Sequence, residues 1–178
     1  MPIVADTKNW TWVIERPCPE CGFDASSYSE ADIAPAIVDN ATSWAVVLAR
    51  PTVRLRPNDS TWSPLEYAAH VRDVLSVYRE RLRLMVETDD PLYPNWDQDE
   101  TAIADAYNEQ DPSVVGAQLT ANASDLAAAC AALSALQWLR VGRRSDGASF
   151  TVSSMAKYLT HDLVHHRWDV SETDSSVK

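Results

Sequence analysis

The sequence predicts an all-α protein, a four-helix bundle with a long crossover connection between its second and third helices. Apolar residues recur at helical spacing in four long segments, and glycine occurs at only four positions. A stretch rich in aspartate and proline separates the second segment from the third. The 178 residues suffice for one domain with a substantial core, and a composition of 46% hydrophobic and 23% charged residues is typical of globular proteins.

The chain begins with an irregular N-terminal extension, predicted over residues 1–28, which carries a Cys-Pro-Glu-Cys-Gly segment. The first helix is expected over about residues 29–50. Its apolar side chains, among them Ile33, Ile37 and Trp44, recur at the spacing of one helical face.

The second helix has a clear start signal. Ser63 caps its N-terminus, Pro64 suits the first helical position, and Glu66 completes a Ser-x-x-Glu capping box. Apolar periodicity continues to about Glu87. The preceding residues 51–62, which contain two prolines, are predicted to form a loop.

The connection over residues 88–112 is too long for a simple helical hairpin, which indicates a crossover, and a short helix is expected near residues 102–107. The third helix is predicted over residues 113–136. Turn residues within 138–150 indicate a hairpin-like excursion, and the fourth helix follows over about residues 151–169.

These assignments define a four-helix domain over residues 29–170, followed by a flexible tail over residues 171–178. The formal net charge of −11 disfavours binding to a nucleic-acid backbone. No apolar run reaches the ~18 residues that a membrane span requires, and no signal peptide is recognised. A cytoplasmic protein without nucleic-acid or membrane partners is therefore expected.

Three histidines are the candidate metal ligands. His161 and His165 are four residues apart on the fourth helix, so both imidazoles project from one stripe of its surface. His70 lies two turns into the second helix. If these helices face each other, the three rings form a set that leaves coordination positions open, as a catalytic metal requires. His166 points about 100° away from its neighbour and is left out of this set.

Four nearby side chains are candidates for supporting the ligands. Asp73 follows the second-helix histidine by three residues, and Asp169 follows the last ligand by four, so each can accept the second ring N–H of a ligating histidine. Tyr67 and Tyr158 each precede a candidate ligand by about one turn and can donate a proton near the metal. The alternatives are ordinary surface acids and core tyrosines.

Three arginines form the densest cationic cluster of the chain: Arg140, Arg143 and Arg144. They can steer an anionic substrate towards the site. A solvated turn is the alternative role for each of them.

The N-terminal extension carries Cys18 and Cys21, arranged like half of a zinc knuckle. Structural zinc normally takes four ligands, and only this pair is recognised. Three interpretations stay open: a second metal site completed by other residues, a redox pair, or a reduced structural turn, which is the favoured one. The third cysteine, Cys130, is expected in the core of the third helix.

Two segments carry a resemblance to a known family. One is Thr-Trp-Ser-Pro-Leu-Glu-Tyr-Ala-Ala-His, residues 61–70, followed by Asp73, and the other is His-Asp-Leu-Val-His-His-Arg-Trp-Asp, residues 161–169. They resemble the second-helix and fourth-helix motifs of the DinB superfamily. The resemblance covers about residues 29–170.

The resemblance implies a four-helix bundle that binds one divalent ion, zinc or nickel, with His70, His161 and His165 at the ligand positions. Characterised relatives include mycothiol-dependent maleylpyruvate isomerases and thiol S-transferases that use mycothiol or bacillithiol. Their metal is thought to hold the thiol as thiolate, the nucleophilic form. The arginine-rich, lysine-poor composition favours mycothiol, so the expected partners are a small-molecule thiol and an electrophile.

The same ligand set is compatible with two functions other than thiol transfer or isomerisation. One is a metal-dependent hydrolase that uses water as the nucleophile. The other is a non-catalytic metal-binding module of a stress response, acting through a homodimer or another partner. Turnover without added thiol favours the hydrolase, and absence of any turnover favours the module.

Overall fold

The computed structural model describes residues 9–175, with side chains as far as residue 171. In chain order the elements are α1 (Glu30–Leu48), α2 (Pro64–Glu87), β1 (Leu92–Tyr93), α3 (Gln98–Ala104), α4 (Pro112–Ala131), α5 (Ala135–Trp138), β2 (Val141–Arg144), β3 (Ser149–Thr151) and α6 (Val152–Ser175). Short 3₁₀ turns occur at Thr11–Ile14, Ala25–Ser27 and Tyr107–Glu109. The predicted four-helix bundle is confirmed, because α1, α2, α4 and α6 enclose one hydrophobic core.

The bundle helices begin where local signals place them. The side chain of Ser29 and that of Asp32 form a capping box at the start of α1. In α2 the predicted box is present: the Ser63 hydroxyl accepts from the backbone N–H of Glu66, whose carboxylate accepts from the backbone N–H of Ser63. The third helix was predicted as one segment, but a capping box at Ser134 begins a separate helix. The segment therefore forms two helices, α4 and the four-residue α5.

Replacing Ser63 with alanine is expected to lower the free energy of unfolding by about 1 to 2 kcal/mol. The lost hydroxyl is buried, caps α2 at Glu66, and donates to Asn108 Oδ1 at 2.8 Å. Chemical denaturation measures the change. The matched control is Ser60→Ala, whose exposed hydroxyl bonds only Asn58 among the described partners, and equal stability of the two variants would contradict the prediction.

The crossover between α2 and α4 contains structure that the sequence did not reveal. Strand β1 pairs in parallel with β2, with Leu92 opposite Arg143, and the predicted hairpin forms as β2 pairs with β3 in antiparallel fashion. Any Cβ at Gly142 would lie 2.7 Å from Cγ of Met85, so glycine allows this sheet to approach α2 closely. The connection is thereby held against the bundle.

The boundary between the last helix and the predicted tail differs from expectation. Helix α6 continues to Ser175, so it includes residues 171–175 of the predicted tail. The rest of that tail, 176–178, and residues 1–8 of the extension lie outside the described residues. Among the helices of the described part of the chain, none is both long and apolar enough to cross a membrane.

The N-terminal extension folds onto α6, and its Ile14 and Tyr28 also pack against the main core. Cys18, Phe23 and Ala25 form a small buried cluster of their own, against which Trp10 and Trp12 pack. This placement brings the extension close to the histidines of α6.

Candidate metal centre

A cavity of about 650 Å³ lies between α2, α6, the crossover connection and the N-terminal extension. Aromatic and cationic side chains line much of it, including Trp62, Tyr67, Tyr78, Arg81, Trp96 and Tyr158. All four histidines of the chain also lie on its surface. The volume is in the range of pockets that bind small molecules.

Two groups of potential metal ligands lie along α6 at this cavity. Within each group, one ligand atom from every residue lies within 4.8 Å of those of the others. The first group, here called the floor group, consists of His70, Asp162 and His166. The second, called the cysteine–histidine group, consists of Cys18, Cys21, His161 and His165.

The predicted set of His70, His161 and His165 is thus not brought together as one group among the described residues. His70 joins His166, whose ring centroid lies 4.7 Å from its own, and the other two histidines join the cysteines. The reason is helical rotation: residues 161 and 165 occupy one stripe of α6, and residues 162 and 166 occupy the neighbouring stripe, about 100° away. The second stripe faces α2.

The floor group converges on Asp162. His70 Nε2 lies 3.8 Å from Asp162 Oδ2, and His166 Nε2 lies 3.4 Å from Asp162 Oδ1. His70 is 1% exposed, its ring stacks on Trp96 at 5.4 Å with an interplanar angle of 6°, and Trp62 packs 5.2 Å away. The two indole rings keep water from much of the His70 ring.

In the floor group as it stands the ring of His166 is protonated, so a metal ion would have to displace that proton in order to bind there. Burial opposes protonation of His166, but the carboxylates of Asp162 and Asp169 outweigh it and raise the pKa of His166 to about 10. Burial would raise the pKa of Asp162, but His166 and His70 bring it well below its usual range. Burial lowers the pKa of His70, whose ring is therefore neutral, the form that ligates metals.

The two predicted supporting acids behave differently from each other. Asp169 accepts at 3.0 Å from Nδ1 of His166 and lies 3.8 Å from Nε2 of His165, so its shorter contact is with the histidine that the sequence analysis had set aside. Asp73 does not support His70: it pairs with Arg72 at 2.8 Å and accepts from the hydroxyl of Tyr107. Both partners of Asp73 lie closer to it than the histidine one turn away.

Both predicted tyrosines line the cavity. The ring of Tyr67 lies 5.2 Å from that of His166, and burial raises the pKa of its hydroxyl well above the usual value. Burial likewise raises the pKa of Tyr158, although Arg144 opposes the shift. Both hydroxyls are therefore protonated at neutral pH and can act as hydrogen-bond donors.

Of the three predicted arginines, only Arg144 reaches the cavity. It pairs with Asp146 at 2.8 Å. Arg140 bonds the end of α2 through Met85 O and Thr88 O, and Arg143 pairs with Asp90. These two arginines tie the sheet to the crossover connection instead.

Arg81, the more notable cation of the cavity, has no signal in the sequence. It is 7% exposed, its guanidinium lies over the rings of Tyr78 and Tyr93, and it donates to Pro94 O at 3.3 Å. Among the described residues no carboxylate pairs with it. A buried cation facing a cavity without an acidic partner is suited to binding an anion.

The cysteine–histidine group is more enclosed than the floor group. Cys18, His161 and His165 are buried, and Cys21 is half-buried. Burial lowers the pKa of His161 to about 4, with His165 adding to the shift, and burial also lowers the pKa of His165. Burial raises the pKa of the Cys21 thiol to about 11.

Unpaired polar atoms show that the floor group fits a metal ion. Both ring nitrogens of His70 are buried without a hydrogen-bond partner, although such atoms are normally satisfied. One of these two nitrogens faces both a carboxylate and a second imidazole ring. Two imidazoles and one carboxylate are a common set of protein ligands for zinc and other divalent transition metals.

Comparison with known proteins assigns the family. The family model of the DinB superfamily matches residues 39–170. The chain belongs to the DinB superfamily. The search of curated proteins found no match.

One solved structure resembles this DinB protein closely in fold. It is YfiT from Bacillus subtilis, described as a probable metal-dependent hydrolase with an unusual four-helix bundle topology. The TM-score is 0.76 at 15% sequence identity, over 90% of this chain and 93% of the other. The likeness supports the bundle fold. The region matched by the DinB model includes α6 as far as Val170 and excludes Cys18 and Cys21.

A signal for the two missed floor ligands of this DinB protein was present in the sequence. Asp162 and His166 are four residues apart, the same spacing as the predicted pair, and each directly follows one of its members. The sequence therefore contains two overlapping pairs with a spacing of four residues, and these pairs lie on two adjacent stripes of one helix. Which stripe faces α2 depends on the rotation of α6 in the bundle.

Proposed function

We propose that this protein is a metal-dependent enzyme that transfers a low-molecular-weight thiol of the mycothiol type to an anionic electrophile, or uses the thiol to isomerise one. The observation that carries the proposal is the buried, unpaired imidazole of His70, which faces Asp162 and His166 at the floor of a large cavity. The three side chains would hold one zinc or nickel ion.

Such an ion, when bound, would act as a Lewis acid that favours the anionic form of a nucleophile. The carboxylate of Asp169 holds the ring of His166 by Nδ1 and leaves Nε2 directed at Asp162. Trp96 and Trp62 fix the ring of His70 and exclude water from it. The ligands are thus oriented by neighbours that do not themselves ligate.

The size and lining of the cavity support a reaction between two molecules. A volume of about 650 Å³ gives room for a thiol and an electrophile together. Holding both partners in one cavity lowers the entropic barrier to their reaction. The aromatic walls supply apolar contact, and the protonated hydroxyls of Tyr67 and Tyr158 can donate to an oxygen of the electrophile.

Arg81 supports the anionic character of the substrate. Its guanidinium lies over two tyrosine rings, and its side chain lines the cavity. A guanidinium binds a carboxylate in a two-pronged, geometrically specific manner. An electrophile that carries a carboxylate therefore suits this cavity.

A metal-dependent hydrolase is the second candidate, favoured by the description of the structurally similar YfiT. The same three ligands would serve it, with water in place of the thiol. The two candidates differ in one measurable requirement, which is the need for a thiol.

The test is a matrix of assays on protein loaded with Zn²⁺ or Ni²⁺. Mycothiol, with bacillithiol and glutathione as comparison thiols, is combined with a carboxylated electrophile, and carboxylated esters and amides are assayed without thiol. We expect conjugate or isomer to form only with metal and thiol together, and chelation to abolish it. Hydrolysis without thiol would replace the transferase proposal with the hydrolase. Metal binding without any turnover would indicate a non-catalytic module and overturn both.

A further inference from the structure

The turn that carries the two cysteines has the geometry of a metal-binding knuckle. The backbone N–H of Gly22 donates to Cys18 O at 3.0 Å, and that of Cys18 donates to Phe23 O at 2.8 Å, which closes the turn. Gly22 adopts φ +74°, a conformation that favours glycine. The backbone N–H of Phe23 donates to the thiol of Cys21, which also contacts that of Cys18, so both sulfur atoms lie on one side of the turn.

Two histidines of α6 meet this turn. Cys18 Sγ lies 3.8 Å from Nδ1 of His165, and the ring centroids of His161 and His165 are 5.1 Å apart. A tetrahedral zinc site places a sulfur and a nitrogen ligand about 3.5 Å from each other, given Zn–S and Zn–N bonds of about 2.3 and 2.0 Å. The distance between Cys18 Sγ and His165 Nδ1 is thus within a few tenths of an ångström of that separation.

The surroundings of the group also correspond to those of a structural metal site. Nε2 of His161 is buried and has no hydrogen-bond partner. The far nitrogen of His165 lies 3.5 Å from Oε2 of Glu20 and 3.8 Å from Oδ1 of Asp169. A carboxylate behind a ligating imidazole is the usual way in which proteins orient such a ligand.

We propose that Cys18, Cys21, His161 and His165 bind one zinc ion in a closed tetrahedral site, separate from the metal of the floor group. Four protein ligands leave no position for a substrate, so this site is structural. It joins the N-terminal extension to α6, two segments more than a hundred residues apart in sequence. The free cysteines become ligands rather than a redox pair.

This site also holds one wall of the cavity in place. Asn9, Trp10 and Glu20 of the extension line the cavity, and the ring of Trp10 lies 5.6 Å from that of His161. The extension is otherwise held by the small apolar cluster around Phe23 and by Ile14 and Tyr28, which pack against the main core. Loss of the zinc ion is therefore expected to loosen this wall and expose Trp10 to solvent.

The experiment counts metal ions and identifies their ligands with Co²⁺ as a spectroscopic probe. Four proteins are purified, stripped of metal and titrated with Co²⁺: the wild type, Cys21→Ser, His70→Ala, and the control Cys130→Ser, in which a buried cysteine of α4 is changed. We expect two equivalents in the wild type and the control. One of them should show the strong visible absorption of tetrahedral cobalt together with thiolate-to-cobalt charge transfer.

The variants separate this proposal from the proposed function. Cys21→Ser should bind the first equivalent more weakly and lose at least half of the thiolate band, since only Cys18 remains as a thiolate ligand, and it should keep the other equivalent. His70→Ala should keep the thiolate band and lose the other equivalent. A thiolate band of undiminished intensity in Cys21→Ser, or a native Cys18–Cys21 disulfide found by mass spectrometry, would overturn the structural site. Wild-type cobalt bound without any thiolate band would overturn it independently of how the variants fold. If Cys21→Ser loses cobalt but His70→Ala keeps both equivalents, the result would support this site and contradict the floor site.

Discussion

Replacing Asp162 with asparagine is expected to weaken metal binding at the floor group by roughly 100-fold or more, and to reduce turnover by a similar factor. Asp162 is the residue on which the group converges, with His70 Nε2 at 3.8 Å and His166 Nε2 at 3.4 Å. Loss of a partner that merely orients a ligand already costs 10- to 100-fold in metal affinity or activity, so loss of a ligand costs at least as much. Asparagine keeps the volume of the side chain and removes its charge.

Competition with a chromogenic chelator measures the affinity, and steady-state kinetics measure the turnover. The matched control is Asp125→Asn, in which an exposed carboxylate on α4 loses its surface pair with Arg79 at 3.1 Å. The thiolate band of the cysteine–histidine group should stay unchanged in both variants. Wild-type affinity and turnover in Asp162→Asn would show that the floor group is not the metal centre.

Replacing Arg81 with methionine is expected to raise the KM for a carboxylated substrate by about 10- to 100-fold. A hydrogen bond to a charged group contributes about 1.5 to 3 kcal/mol, and each 1.4 kcal/mol corresponds to a factor of ten in binding. Arg81 is buried at the cavity with no acidic partner among the described residues, so its charge is available to a ligand. Methionine preserves the apolar contacts with Tyr78 and Tyr93.

Two controls make this result specific. Arg79→Met removes a cation two residues away on the exposed face of α2 and should leave KM unchanged. The uncharged methyl ester of the substrate should bind the Arg81→Met variant and the wild type with equal KM. An equal rise in KM for the acid and the ester would indicate a structural defect, and no rise for either would exclude Arg81 from substrate binding.

Local signals made most of the helices predictable. The capping box at Ser63 and the proline after it placed the start of α2 correctly, because these interactions involve only residues within one turn. The turn around Gly147 likewise predicted the hairpin of β2 and β3. Strand β1 was missed because its two residues, Leu92 and Tyr93, pair with a segment about fifty residues away.

The residue types at the site were predictable from the sequence, but which of these residues lie together was only partly predictable. The histidine pairs of α6 and the cysteine pair of the extension were recognisable as metal ligands by residue type and spacing. Their partners were not, because neighbouring positions on a helix point about 100° apart and the sequence does not state which stripe meets which segment. Arg81 gave no signal, since its burial beside two tyrosines exists only in the folded chain.

By itself, then, the sequence determined the mostly helical class, the helix starts and the presence of candidate imidazole and thiol ligands, all of which depend on short-range spacing. Only the tertiary structure decided that His70 meets Asp162 and His166, and that His161 and His165 meet the cysteines. The physical reason is that packing against α2 and the N-terminal extension sets the rotation of α6, which divides its histidines between two sites.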